Sequence, residues 1–159
     1  IIKYIIYLKE RDYLHIILIC LLHKASHLIK WELNSSLKDY QKTSAQWRVL
    51  MDLKYQEEIK ADLSNRTPGA IAERLNVERS GITRTIDSLI QEELVKKEEN
   101  PLDKRSQFIV LTEKAKDMLP WLITAGNKVI EKAFGDFQRD DIEKCTNYLM
   151  KIIKNLYNE

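Results

Sequence analysis

Glycine and proline are scarce in this chain, four and three among 159 residues, which excludes collagen-like and turn-dense all-β architectures. Only two cysteines occur, Cys20 and Cys145. They lie far apart and belong to no Cys-x-x-Cys ladder, so a disulfide scaffold and a zinc ribbon are excluded and a reducing cytoplasm fits. An excess of one charge is also missing: Lys and Arg number 26 against 24 Asp and Glu, a net +2, so overall charge announces no polyanionic partner. Long apolar runs are absent too. The N-terminal IIKYIIYLKERDYLHIILICLL is broken by Lys3, Lys9, Glu10, Arg11, Asp12 and His15, and its longest clean stretch, Ile16 to Leu22, is seven residues. That predicts neither a membrane span nor a signal peptide. The sequence has no nucleophile elbow, glycine-rich phosphate cradle, His-Glu-x-x-His or convincing carboxylate pair, so neither an enzyme nor a cofactor is expected.

What is present favours helices. At 44% hydrophobic residues, the chain has apolar material for one core but too little length for two independent ones. From Asp12 to Leu33 apolar residues are so dense that Ile16 to Leu22 would be hydrophobic around a whole helix, which must then be buried in a core or between subunits. A polar break, NSSLKDYQKTS, follows. Ser44 is placed to cap a second helix carrying Trp47, Val49, Leu50, Leu53 and Tyr55, and 56–66 reads as its polar tail plus a loop. Thr67-Pro68 starts a short helix, with Thr as cap and Pro where its missing donor does no harm, ending near Asn76. A further helix from about Glu78–Ser80 to Glu92 puts Ile82, Ile86, Leu89 and Ile90 on one side and Arg79, Ser80, Thr83, Arg84 and Asp87 on the other.

The runs 94–98 and 107–111 predict a β-hairpin whose loop, with Asn100-Pro101, is too long for a two-residue turn. Thr112 caps a long helix to about Phe134, bent at Pro120 and stopped at Gly135. Asp140 and Glu143 have capping-box spacing. Ile142, Cys145, Leu149, Ile152 and Leu156 then form a narrow stripe suited to packing along another helix. The fold class is mainly α with a small β-hairpin wing.

Helix, short helix, turn, helix, hairpin is the order of a winged helix-turn-helix, in which the helix after the turn enters the major groove of DNA. Residues 66 to 111 hold eight basic and eight acidic side chains, so where the basic ones point decides their use. Ser80, Thr83 and Arg84 share a face, with Arg79 at the end nearest the turn. Arg84 suits two parallel hydrogen bonds to a guanine, worth about 1–3 kcal/mol of discrimination. Lys104 and Arg105 at the hairpin tip suit a narrow minor groove, with Asp103 beside them as a staple for Arg105.

The words LNVERSGITRTIDSLIQEELVKK and LDKRSQFIVLTEKA resemble the MarR family, and its SlyA branch most, over about Thr43 to Leu119. The resemblance implies recognition contacts at Ser80, Thr83 and Arg84 and a wing arginine at Arg105 with Lys104. It implies a single MarR-like chain, 1–159, with a DNA-binding lobe over 43–112. Residues 1–40 and 113–159 would form a helical dimerisation lobe in which two chains interlace. A homodimeric cytoplasmic transcription regulator, a repressor or an activator, on double-stranded DNA follows, modulated by a small phenolic or amphipathic ligand. By that analogy His27, Trp31, Trp47, Arg48 and Met51 line a ligand pocket. Three departures stand out: Glu93 where the family often has glycine, so that the helix is expected to end without the usual left-handed cap, Lys97 where it often has arginine, and a long acidic link over 54–66.

Cys20, His23 and His27, at spacings of three and four, are weighed as zinc ligands. Their apolar neighbours favour a core thiol with interface histidines, so no metal is expected. The same surroundings disfavour redox sensing by Cys20. A rival from another class is a helical protein-interaction module using a winged domain for partner contacts, which the local charge balance favours.

Overall fold

The computed structural model describes residues 11–100 and 103–157, with side chains at 13–99 and 107–157. Its elements are α1 (Arg11–Leu37), α2 (Ser44–Glu58), α3 (Pro68–Leu75), α4 (Arg79–Gln91), β1 (Val95–Asn100), β2 (Asp103–Leu111), α5 (Glu113–Phe134) and α6 (Arg139–Tyr157), with short 3-10 turns at Lys38–Tyr40 and Leu63–Arg66. The mainly helical class with a two-stranded antiparallel wing is as expected.

Helix α1 runs four residues past its expected end, through the polar Asn34-Ser35-Ser36. Tertiary partners explain this: Ser36 Oγ donates to Ala125 O at 2.8 Å, Asn34 Oδ1 accepts from Ser44 N at 2.7 Å, and Leu37 is fully buried. The second helix is capped by Thr43 rather than Ser44. Thr43 Oγ1 accepts from Gln46 N while Gln46 Oε1 accepts from Thr43 N, a complete capping box,. Val49, Leu50 and Leu53 enter the core as expected, but Tyr55 is exposed. Thr67, Pro68 and the left-handed Asn76 bound α3 as its sequence dictates, and Thr112 caps α5. The helix that begins at Arg139 includes Asp140 in its first turn, so the Asp140/Glu143 box does not form and Glu143 pairs with Arg139 instead.

The β ladder runs from Val95↔Leu111 to Glu99↔Gln107, shifts register, and closes at Asn100↔Asp103. Only two residues separate the strands, so the expectation of a long loop is wrong. Asp103, Lys104 and Arg105 belong to strand β2 rather than to a turn, and their side chains lie outside the described residues.

One core joins the wing, the helix-turn-helix and the middle of α5: Leu50, Leu53, Ile71, Ile86, Leu89, Leu94, Ile109 and Leu122 are all essentially inaccessible. The terminal helices behave differently. Only the last turns of α1, through Leu33 and Leu37, are buried in the core, whereas Leu14, Ile16 and Ile19 are 63%, 56% and 62% exposed. Helix α6 buries none of its residues. Cys20, expected to pack in a core, is exposed, as is Cys145, because this stretch of α1 has no cover among the described residues. No uninterrupted apolar run in α1 exceeds seven residues. Its scattered Ser, His and Lys still leave an 18-residue window apolar enough, by length and composition, to cross a membrane.

At the end of α4, Glu93 adopts the left-handed conformation itself, with φ 60°. The expectation that this helix lacks a left-handed cap is therefore overturned. Glu93 N donates to Ile90 O and Leu94 N to Leu89 O, both at 2.9 Å, which is a Schellman closure. Buried Leu94 drives it, because only this turn carries the chain directly into β1. A left-handed non-glycine residue is strained by about 1–2 kcal/mol, while glycine costs about 0.5–1 kcal/mol in lost chain entropy. Glu93→Gly is expected to raise stability by about 0.5–1 kcal/mol in a urea titration. A loss of stability would show that the exposed pair with Lys114 outweighs the strain.

Candidate nucleic-acid interface

Helix α2 is the beam from which the reading unit hangs. Asp52 grips Arg74 of α3 with two bonds, Nε to Oδ1 at 2.9 Å and Nη2 to Oδ2 at 2.6 Å. Arg48 Nη2 donates to Leu75 O at 2.6 Å, satisfying a carbonyl at the end of α3,. Toward α4, Gln46 Nε2 donates to Ser88 Oγ at 3.1 Å and Glu92 Oε1 at 2.6 Å, and Lys42 pairs with the other Glu92 oxygen at 2.5 Å.

Burial pushes the Glu92 carboxyl up, but bonding and charge from Lys42, with bonds from Gln46 and Ser88, hold it below the usual glutamate range. A group so depressed stabilises the fold fully above the ordinary glutamate pKa, about 4.3, and loses that contribution as pH falls through its lower folded value. Glu92→Gln is therefore expected to be less stable at pH 7. The gap from the parent should narrow as thermal melts are taken down toward pH 3, and a constant gap would rule out the ionised lock.

The outward surface of α4 is as its periodicity dictates. Ile82, Ile86 and Leu89 are buried, while Arg79, Ser80, Thr83, Arg84 and Asp87 are exposed. Thr83 Oγ1 donates to Arg79 O at 2.9 Å, which leaves its oxygen lone pairs available as acceptors. Arg84 Nε donates to Ser80 O at 3.3 Å, folding the stem along the helix and leaving the terminal nitrogens without a partner among the described residues. Arg79 departs from this stripe: a Cβ on Gly69 would lie 3.0 Å from Arg79 Nη2, so its guanidinium rests against the start of α3.

Ion pairing resolves the local charge balance. Among the described side chains from 66 to 100, Arg66 pairs with Glu57, Arg74 with Asp52, Lys96 with Glu98 and Lys97 with Asp87. Arg79 and Arg84 are the cations of that set without an acidic partner.

The five residues expected to line a ligand pocket are not gathered around either described cavity. Trp47 Nε1 donates to Leu122 O at 2.9 Å, Arg48 is engaged by Leu75 O, and Trp31 is 64% exposed. His23 and His27 stack with ring centroids 5.7 Å apart on the exposed part of α1. The described cavities lie elsewhere, one of about 400 Å³ between Glu57, Lys96 and Lys116, the other of about 520 Å³ between α5 and α6, lined by Ile130, Phe134, Ile142 and Leu149. The second lies along the apolar stripe of α6, which was expected to pack on another helix.

Residues 42–107 match the family model described as MarR family. The winged segment is thus similar to the MarR family. Solved structures extend the likeness of fold to the terminal helices. A MarR family transcriptional regulator from Silicibacter pomeroyi is 26% identical with a TM-score of 0.78, covering 96% of this chain and 97% of that one. A cysteine-to-serine variant of MarR from E. coli, complexed with operator DNA, is 22% identical at TM-score 0.73, covering 91% and 99%. CouR from Rhodococcus jostii RHA1, bound to p-coumaroyl-CoA, is 17% identical at 0.73, covering 83% and 88%. Comparison with curated protein sequences finds no match. In this MarR-type frame, the face of α4 is the surface that the helix-turn-helix turns outward.

Proposed function

We propose that the protein is a homodimeric, sequence-specific DNA-binding transcriptional regulator of the MarR family, closest to its SlyA branch, working in the cytoplasm and without enzymatic activity. The observation that carries this reading is the exposed stripe Ser80, Thr83, Arg84, on which Arg84 has no acidic partner among the described residues while Arg74, Lys96 and Lys97 are each paired with an acid. Those pairs account for part of the charge balance that favoured a protein-interaction module, two of them, Arg66–Glu57 and Arg74–Asp52, reaching acids outside 66–111.

In this reading 43–112 is the DNA-binding lobe, and 1–40 with 113–159 form the dimerisation lobe. A second copy covers the apolar surface of α1 and α6, where Leu149, Ile153 and Leu156 are 40%, 52% and 76% exposed. Covering it gives the large apolar interface of an obligate dimer. Two α4 helices then enter successive major grooves about 10 bp apart. Arg79 meets the phosphate backbone nearby. Lys104 and Arg105, oriented by Asp103, reach the adjacent minor groove. A phenolic or amphipathic ligand between the lobes, near His27, Trp31, Trp47, Arg48 and Met51, shifts the population of DNA-competent dimers by its difference in affinity for the two forms.

The test is selection of bound sequences from a random double-stranded DNA pool at near-physiological salt. An inverted repeat with half-sites about one helical turn apart is the expected product. A pool with no enriched repeat overturns the proposal.

A further inference from the structure

We infer that Asp87 is a specificity-determining residue of the α4 face, selecting at one base pair of each half-site a base that offers an amino group to the major groove, cytosine or adenine. This rests on the DNA-binding reading above and deepens it.

At about 100° per residue, Asp87 lies within about 20° of Ser80 on the helix circumference and between Thr83 and Arg84. It is thus at the middle of the outward stripe, pointing away from buried Ile82 and Leu89. Its side chain is 50% exposed. A carboxylate placed there meets the repulsion of DNA phosphates, and the structure gives it only loose compensation: Lys97 Nζ of β1 stands 3.6 Å from Oδ1.

An ionised carboxylate only accepts hydrogen bonds. In the major groove the exocyclic amino groups of cytosine and adenine are donors, whereas guanine O6 and N7 and thymine O4 are acceptors. The Asp87 carboxylate therefore bonds the first pair of bases and repels the second. Arg84, one turn earlier and purely a donor, selects the opposite polarity. Lys97, 41% exposed on the wing strand, neutralises Asp87 in the free protein and turns to a phosphate when DNA arrives, leaving Asp87 to the base edge.

The experiment is the random-pool selection run in parallel with the parent, Asp87→Ala, Asp87→Asn and Lys97→Ala, each checked for a cooperative thermal melt. Asp87→Asn is nearly isosteric and guards against misfolding of the alanine variant. The parent is expected to enrich an inverted repeat. With Asp87→Ala, preference at one base pair in each half-site falls about tenfold while the guanine assigned to Arg84 persists; Asp87→Asn shifts that same position toward adenine, and Lys97→Ala keeps the parental preference. An unchanged profile with both Asp87 variants, or a uniform loss at every position matched by Lys97→Ala, overturns the inference and leaves the pair as a brace between helix and wing. A parent that enriches no repeat refutes the DNA-binding reading itself, and this inference with it.

Discussion

Gly126→Val is expected to lower stability by about 3 kcal/mol, moving the thermal midpoint down by about 6–12 °C at fixed protein concentration. Gly126 sits in the middle of α5, where glycine is ordinarily the wrong residue: alanine would gain about 1 kcal/mol of helix propensity. A Cβ there would lie 2.7 Å from Trp47 Cζ2, well inside contact distance. The indole has little room to retreat, because its Nε1 is held by Leu122 O at 2.9 Å. Glycine therefore lets α5 and α2 approach through the thickness of one ring, and this joins the winged segment to the long helix. Valine adds two further carbons to the collision, so packing strain exceeds the propensity gain. A double-mutant cycle checks the cause. In a Trp47→Phe background the loss from Gly126→Val should shrink by more than 1 kcal/mol, since contacting residues couple. Losses that add to within about 0.5 kcal/mol would place the clash elsewhere.

Much of the middle of the chain was legible because its signals are local. Thr67-Pro68, Asn76 and Thr112 act on the backbone within one turn of themselves. The Ile82, Ile86, Leu89 spacing also fixes which side of α4 faces out. Where tertiary partners decide, the sequence misled. Asn34 and Ser36 look like a loop, yet α5 and the start of α2 supply their hydrogen bonds. Glu93 looks unable to cap α4, but the burial of Leu94 overrides its preference. The capping box at Asp140 fails because the helix starts one residue earlier, at Arg139. The candidate site was legible in its stripe and illegible in its charges. No spacing rule says that Arg74 is held by Asp52, twenty-two residues away, or that Arg79 leans on Gly69. Those are contacts between elements, and they separate a cation free to read DNA from one already engaged.

Arg84→Ala is expected to reduce preference for a G·C pair in each half-site by about 10- to 100-fold, from the loss of a bidentate contact worth about 1–3 kcal/mol. The geometry supports that contact before DNA arrives. With Nε bonded to Ser80 O, the exposed guanidinium has no hydrogen-bond partner for its two terminal nitrogens among the described residues, and these form the end-on fork that matches guanine O6 and N7. Part of the side-chain entropy is thus lost before binding rather than during it, which favours affinity. Arg84→Lys separates charge from geometry: it keeps the positive charge but loses the fork, so general affinity should hold while the guanine preference falls nearly as far as with alanine. Competition binding against matched duplexes, parental and with the G·C pair replaced, reads both quantities at one salt concentration. If Arg84→Lys retains full discrimination, the contact is a phosphate one and the reading face must be reassigned. If both variants lose discrimination while melting like the parent, Arg84 is reading bases.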